Sequence, residues 1–185
     1  MKVSLRKIST KNGQKIVLRS PLASEAEHIL NHLRITHAES YKNLNQSFDY
    51  WNEFRVEDEA KILTEFENAK NKFMLCAFYN DRIVGALGFI GFQAEFVRKT
   101  GSLGMSIQNE FSNSGLGTQM LQYTLELAKE IGFHRVELTV RTYNQPGIKL
   151  YEKLGFQKIG LLSDAAFIDG AFVDEYSFQI ILNGK

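Results

Sequence analysis

The sequence is poor in cysteine and proline. Its 185 residues include one cysteine, Cys76, and two prolines. A single cysteine excludes a disulfide within the chain, and its apolar neighbours predict a buried core thiol rather than an activated one. With so few prolines, no repeat and no low-complexity tract, nothing suggests a linker. We therefore expect one domain over residues 1–185.

The sequence also lacks an excess of charge and any long hydrophobic run. It carries 22 Lys and Arg against 21 Asp and Glu, which gives no electrostatic reason to expect nucleic-acid or membrane binding. No apolar run reaches the roughly 18 residues of a membrane-spanning helix, and residues 1–7 lack the apolar core of a signal peptide. We expect a cytoplasmic protein without nucleic-acid or membrane partners.

The pattern of apolar residues predicts a mixed α/β (α+β) fold. Alternating or continuously apolar stretches predict strands at 3–8, 14–19, 73–79, 83–92, 101–107, 135–141, 156–162 and 172–182. Helical spacing predicts helices at 20–33, 56–69, 117–131 and 145–154, with irregular structure or a short helix within 37–55. Asn12-Gly13 and Asn80-Asp81 predict hairpin turns. The strand, helix, strand order between 101 and 140 predicts a crossover that leaves two strands locally parallel.

The stretch from Ser112 to Thr118 is the most informative one for function. Gly115 and Gly117 let the backbone turn tightly and approach a ligand, and the helix that follows adds unpaired N–H groups and a partial positive charge. Together these features predict an anion site that can hold a phosphate. Two alternate glycines before a helix also occur in ordinary strand-to-helix turns, so the loop alone does not decide.

Further motifs surround this loop. Residues 112–117 follow the order Ser-x-x-Gly-x-Gly, Val140 precedes Asn144 by four positions, and residues 148–156 read Ile-x-Leu-Tyr-x-x-Leu-Gly-Phe. In this succession residues 101–156 resemble the GNAT family of acetyl-CoA-dependent N-acetyltransferases. Residues 169–176 are similar to members that act on protein N-termini or small amines.

The resemblance implies a fold and an activity. The fold would be a single-domain GNAT fold, a mixed and mostly antiparallel sheet with a central, splayed parallel strand pair and flanking helices. The activity would be that of an acyltransferase, which moves an acetyl group from acetyl-CoA directly to a primary amine, without an acyl-enzyme. Either a small molecule or a protein N-terminus would be the acceptor.

The resemblance also implies cofactor-binding residues. Backbone groups at the end of the strand predicted at 101–107 would hold the pantetheine arm and polarise the thioester carbonyl: Met105, Ser106 and Ile107. The glycine loop would hold the pyrophosphate: Ser112, Asn113, Ser114, Gly115, Leu116, Gly117 and Thr118. Ser112 stands where the family usually has Arg or Gln. Asn144 either caps a helix or contacts the cofactor. Gly147, often Ala in the family, either makes room for the cofactor or loosens the helix.

Catalytic and acceptor residues follow from the same resemblance. Tyr151 is the candidate general acid for the leaving thiolate, and Glu110 is the candidate general base by position alone. The acceptor cleft would be lined by four side chains, whose acidic and aromatic character suits a cationic amine: Glu39, Tyr41, Trp51 and Phe167.

Several rival interpretations remain at this point. The irregular Ser112 and Gly147 are compatible with a non-catalytic acyl-CoA-binding or regulatory module. A nucleotide-binding protein is disfavoured because neither phosphate-loop motif occurs. His28 and His32 have metal-compatible spacing, yet we expect a surface helix and no metal there. A homodimer is possible if the final strand, 172–182, pairs or swaps with another subunit.

Overall fold

A computed structural model describes residues 1–182 of the chain. The chain forms two compact units that interleave along the sequence. The first unit contains residues 1–90 and 104–124, and the second contains residues 91–103 and residues from 125 onward. Whether the chain is one domain, as the sequence predicts, stays a prediction.

The elements follow each other in the predicted order. They are β1 (Arg6–Ser9), β2 (Lys15–Arg19), α1 (Ala26–Ser40), α2 (Phe48–Glu53), α3 (Val56–Asn68), β3 (Lys72–Tyr79), β4 (Arg82–Gly91), β5 (Thr100–Ile107), α4 (Leu116–Glu130), β6 (Arg135–Arg141), α5 (Gln145–Lys153), β7 (Gln157–Ile168) and β8 (Ala171–Ile181). No helix within residues 1–182 is both long enough and apolar enough to cross a membrane.

The first unit contains four antiparallel strands in the order β1-β2-β3-β4. Both predicted hairpins are confirmed, because Gly13 in one turn and Asn80 and Asp81 in the other have positive φ angles of 80°, 47° and 63°. Such angles suit the tight turns whose twist matches that of the strands.

Helix α1 differs from its prediction at both ends. Pro21 does not open the α-helix, since a 3₁₀ turn over Ala23–Glu25 comes first. The helix then continues to Ser40, beyond the predicted end at residue 33. His32 and Thr36 are buried on its inner face, and the Thr36 hydroxyl donates to the His32 carbonyl at 3.1 Å. Apolar spacing could not find this stretch because the buried face becomes polar there.

The core of the first unit lies where α1 and α3 pack on β3 and β4. Its central cluster is fully or nearly fully buried and comprises Ala26, Ile29, Leu63, Cys76, Phe78 and Ile83. Cys76 is therefore the core residue that the sequence predicts. Burial raises the pKa of its thiol well above the usual value, so it stays protonated and unreactive.

The second unit contains the first half of β5, residues 100–103, and strands β6, β7 and β8, in the order β5-β6-β8-β7. The predicted parallel pair is present: residues 100–102 of β5 pair with residues 135–137 of β6. The remaining pairs in this unit are antiparallel. Strand β8 lies between β6 and β7, and it pairs with β6 over residues 175–181 and with β7 over residues 171–179. A homodimer through this strand stays a prediction.

Strand β7 is longer than predicted. It continues past residue 162 to Ile168, and its register with β8 shifts between Leu162 and Ala166. Asp164 within this irregular segment has a positive φ of 52°, and its N–H donates to the Asp174 carboxylate at 2.9 Å. The bulge interrupts the alternation of side chains, which is why the sequence predicts an end there.

Glu59 is a charged residue on the buried face of α3. Its side chain is 3% exposed, and burial raises its pKa to about 7. When the pKa of a carboxyl group is higher in the folded than in the unfolded state, the free energy of unfolding falls as the pH rises between the two values. For Glu59 this range runs from about 4.5 to about 7.

We predict that Glu59→Gln raises the melting temperature more at pH 8 than at pH 5, because only at pH 8 does the native protein bury a charged carboxylate. Each unit of pKa shift corresponds to about 1.4 kcal/mol. Thermal unfolding of both proteins across this range measures the difference, and the exposed Glu57→Gln on the same helix serves as the control. An equal gain at both pH values would contradict the assignment.

Candidate active site

The loop before α4 is held by its own Ser114. The Ser114 hydroxyl donates to the Phe111 carbonyl at 2.6 Å and accepts from the Leu116 N–H at 3.3 Å. Gly115 has a φ of +84°, a conformation that strains any residue with a Cβ. The Ser114 side chain is thus buried, and its hydroxyl bonds within the loop, whereas Ser112 and Asn113 are exposed.

The first turn of α4 presents backbone donors. Gln119 is the first residue whose N–H bonds along the helix, to the Gly115 carbonyl at 3.2 Å. The N–H groups of Gly117 and Thr118 precede it and have no carbonyl one turn earlier in the helix. With the positive end of the helix dipole, these groups fit a phosphate or pyrophosphate.

Lys11 adds a cation that the sequence did not suggest. Its N–H donates to the Ser114 carbonyl at 2.8 Å. Its side-chain carbons lie 3.4 to 3.8 Å from the point where a Cβ on Gly115 would stand. The lysine of the β1–β2 turn therefore lies along the glycine loop. Its only sequence signal was a basic residue in a hairpin turn.

The end of β5 carries the segment predicted to hold the thioester. Met105, Ser106 and Ile107 are all half-buried, and the three-pair ladder with β6 ends at Ser102. These three residues therefore lie beyond the ladder, as expected for a strand that leaves its parallel neighbour. The N–H of Gln108, immediately after β5, donates to the Val84 carbonyl at 3.0 Å.

His32 is buried and contacts this segment. The expectation that it lies on a surface helix is wrong: its side chain is 0% exposed, and its Nε2 lies 2.9 Å from the Ser106 Oγ. Burial lowers its pKa to about 4, so the ring is neutral near pH 7. No cluster of three potential metal-ligating side chains occurs in residues 1–182.

The predicted acceptor residues of the first unit lie on or next to α1 and α2. The Glu39 carboxylate accepts from the Asn109 N–H at 2.8 Å. Trp51 donates its indole N–H to His37 Nε2 at 2.8 Å, which fixes the ring. Tyr41 is exposed and opens a 3₁₀ turn. Glu110 is also exposed and forms an ion pair with Arg82 at 2.7 Å.

In the second unit, Asn144 caps α5. Its Oδ1 accepts from the Gly147 N–H at 3.1 Å. A Cβ on Gly147 would stand 3.0 to 3.2 Å from the Asn144 side-chain atoms, closer than most such contacts. The structure therefore gives a local reason for this glycine, since it leaves room for the capping amide.

Tyr151 lies on the buried face of α5. It is 9% exposed and packs on Phe156 and Phe178, with ring centroids 5.8 and 6.2 Å apart. Burial raises its pKa to about 12. Phe167, the fourth predicted acceptor residue, is 64% exposed on β7 and packs on Phe172, with ring centroids 5.0 Å apart.

The predicted site residues thus divide between the units. The first unit holds the 105–107 segment, the 112–118 loop, Glu39, Tyr41, Trp51 and Glu110. The second unit holds Asn144, Gly147, Tyr151 and Phe167. Sequence reasoning missed Lys11 and the buried role of His32, both of which depend on partners far away in the chain.

Comparison with known proteins agrees with this chemistry. A sequence model of the acetyltransferase (GNAT) family matches residues 39–156, more than half of the chain. The chain is 25% identical to an N-alpha-acetyltransferase of Sulfurisphaera tokodaii, over 82% of this chain and 86% of that protein. It is 31% identical to the L-amino acid N-acetyltransferase AaaT of Escherichia coli, over 40% of this chain and 46% of that protein.

A solved structure extends the likeness to the whole fold. The crystal structure of a GNAT acetyltransferase from Streptococcus pneumoniae superimposes with a TM-score of 0.85 at 27% identity, over 91% of this chain and 99% of that one. The predicted fold class, acyltransferase activity and use of acetyl-CoA are thereby confirmed. These findings favour an enzyme over the alternative of a non-catalytic acyl-CoA-binding module. The chain belongs to the GNAT family of acetyltransferases, enzymes that transfer the acetyl group of acetyl-CoA to an amine.

Proposed function

We propose that this enzyme acetylates the α-amino group at the N-terminus of a peptide or protein. One observation carries the choice of acceptor. Two N-alpha-acetyltransferase relatives match 82% and 81% of the chain, whereas the free amino acid N-acetyltransferase matches 40%. The longer matches extend beyond the acetyl-CoA motifs, into the parts of the chain that carry acceptor residues.

The cofactor contacts follow from the local geometry. The N–H groups of Gly117 and Thr118 hold the pyrophosphate, and the Lys11 ammonium supplies the positive charge that Ser112 cannot. Backbone groups of residues 105–107 align the pantetheine arm and the thioester. Asn144 and Gly147 bind the cofactor through the first turn of α5. The main role of Asn144 is to cap this helix.

The chemistry needs alignment more than proton transfer. A neutral amine attacks the thioester carbon, the carbonyl oxygen gains negative charge, and the thiolate then leaves. Tyr151, with a pKa of about 12, would lose its proton to a thiolate of ordinary pKa at a cost of about 5 kcal/mol. We therefore assign Tyr151 to a hydrogen bond with the developing thiolate rather than to full proton transfer.

The acceptor ammonium is met by acidic and aromatic side chains. In the first unit, Glu39 supplies negative charge and Tyr41 and Trp51 supply ring faces. Phe167 of the second unit stays a predicted acceptor residue. Glu110 remains the proposed base, in an exposed position where water can carry the proton away. A cytoplasmic location and a homodimer stay predictions.

The acceptor proposal is tested with a panel of amines. We expect release of CoA thiol with short peptides that have a free N-terminus, and little with free amino acids or with the lysine side chain of an Nα-blocked peptide. The same peptide with a blocked N-terminus is the matched control, and mass spectrometry locates the acetyl group. Faster turnover of free amino acids than of every peptide would refute the proposal.

Lys11→Ala should raise the KM for acetyl-CoA about tenfold, because a lost charge-assisted contact of about 1.4 kcal/mol weakens binding by that factor. The control is Lys15→Ala, which removes the same charge from the same hairpin, where it bonds to Ser9 instead. Acetylpantetheine lacks the pyrophosphate, so its KM should not change. An equal effect of Lys11→Ala on both donors would rule out the phosphate contact.

Tyr151→Phe should lower kcat about 10- to 100-fold while the KM for acetyl-CoA stays nearly constant, since the lost hydrogen bond forms as charge develops. Tyr176→Phe, in the same unit, is the control. Because the pKa of Tyr151 is about 12, the wild-type kcat should show no Tyr151 ionisation below about pH 10. An unchanged kcat would remove Tyr151 from the mechanism.

A further inference from the structure

His32 and Ser106 form a buried polar contact between α1 and β5. The Nε2 of His32 lies 2.9 Å from the Ser106 Oγ, although the two residues are 74 positions apart. His32 is completely buried and Ser106 is half-buried. Burying an imidazole costs free energy unless both of its nitrogens have hydrogen-bond partners. The partner of Nδ1 therefore bears on which nitrogen carries the proton.

Gln108 faces that other nitrogen. Its amide nitrogen donates to the Ile83 carbonyl at 3.1 Å and lies 3.4 Å from His32 Nδ1. In the tautomer that lets Nδ1 accept from Gln108, the ring proton lies on Nε2. We assign this tautomer, in which His32 donates to the Ser106 hydroxyl oxygen.

This assignment leaves the Ser106 hydroxyl hydrogen to be used elsewhere. A hydroxyl group has one donor and two acceptor sites, and His32 occupies one of the acceptor sites. Within residues 1–182 the Ser106 Oγ has no other hydrogen-bond partner. The oxygen is thus fixed from the α1 side, while its O–H remains available to a ligand.

The location of Ser106 gives this donor a target. Ser106 is the middle residue of the 105–107 segment, beyond the end of the β5–β6 ladder. We propose that the Ser106 O–H donates to the thioester carbonyl oxygen as it becomes an oxyanion, and that His32 is the positioning residue that holds Ser106 for this contact. The inference rests on the proposed binding of the thioester by residues 105–107.

The step transfers no proton to the pair. The amine nitrogen forms a bond to the carbonyl carbon, the π electrons move to the oxygen, and Ser106 keeps its hydrogen while donating to that oxygen. The nitrogen loses a proton to water or to the proposed base Glu110, the oxyanion re-forms the carbonyl, and the C–S bond breaks as the thiolate leaves. Preorganised donors of this kind stabilise charge only where it develops, so they raise kcat more than they lower KM.

A nucleophile and base pair is the obvious rival for a contacting Ser and His. In the assigned tautomer His32 cannot serve as that base, since its Nε2 carries the proton that points at Ser106. Its pKa of about 4 also makes removal of a proton from an α-ammonium unfavourable by about 10⁴. Ser106 is accordingly a hydrogen-bond donor and does not form an acyl-enzyme.

Ser106→Ala is the first test. We expect kcat to fall about 10²-fold, the effect of removing one oxyanion donor elsewhere, with the KM for acetyl-CoA changed less than about twofold. Ser106→Thr keeps the hydroxyl and should retain most of the activity. Unchanged kcat in Ser106→Ala would overturn the proposal.

A double-mutant cycle tests whether His32 acts through Ser106. His32→Leu should lower kcat by a factor similar to that of Ser106→Ala, and it should add less than about twofold when Ser106 is already Ala. His32→Gln, whose amide can still donate to Ser106, should restore part of the activity. Independent, multiplicative losses would overturn the positioning role. Thermal unfolding confirms that each variant is folded.

Carbon-13 NMR of bound [1-13C]acetyl-CoA tests the contact without any acceptor amine. The carbonyl resonance should lie downfield in the wild type and move upfield in Ser106→Ala, because the lost donor reduces polarisation of the carbonyl. This readout also separates two failures. An inactive amine panel with a normal NMR difference would reject the peptide acceptor alone, whereas equal shifts in both proteins would reject the Ser106 contact.

Discussion

The structure depends on the left-handed turn at residues 113–115. Asn113 and Gly115 both have positive φ angles, 59° and 84°, and the Ser114 hydroxyl between them bonds to the carbonyl before the turn and the N–H after it. This turn sets the residue at which α4 begins. The direction of the free N–H groups follows from that start, so the proposed anion site depends on backbone conformation more than on side-chain identity.

Burial determines the chemical character of the site residues. It lowers the pKa of His32 to about 4 and raises that of Tyr151 to about 12, so each group is neutral across the physiological range. Neutral groups in dry surroundings donate and accept hydrogen bonds but exchange protons poorly. The mechanism that we propose therefore relies on alignment and charge stabilisation, and it leaves proton removal to exposed groups and water.

Local signals explain how much could be predicted from the sequence. The hairpin turns, the start of α5 at the Asn144 cap and the glycine loop are each determined by residues within a few positions of each other, and all were found. The end of α1 was missed because Thr36 and Ser40 satisfy their hydroxyls on carbonyls of the same helix, which apolar spacing does not register. The sequence predicts an exposed His32 because its partner Ser106 lies on another element.

Lys11 brings a positive charge to the glycine loop from a distant part of the sequence. The loop itself carries Ser112 in place of a basic or amide side chain, while a lysine from the first hairpin lies against Gly115 and bonds to Ser114 through its backbone. A motif search that weighs only the residues of the loop therefore underestimates the positive charge beside it. Trimming the N-terminal hairpin to shorten the chain would remove that charge together with a support of the glycine turn.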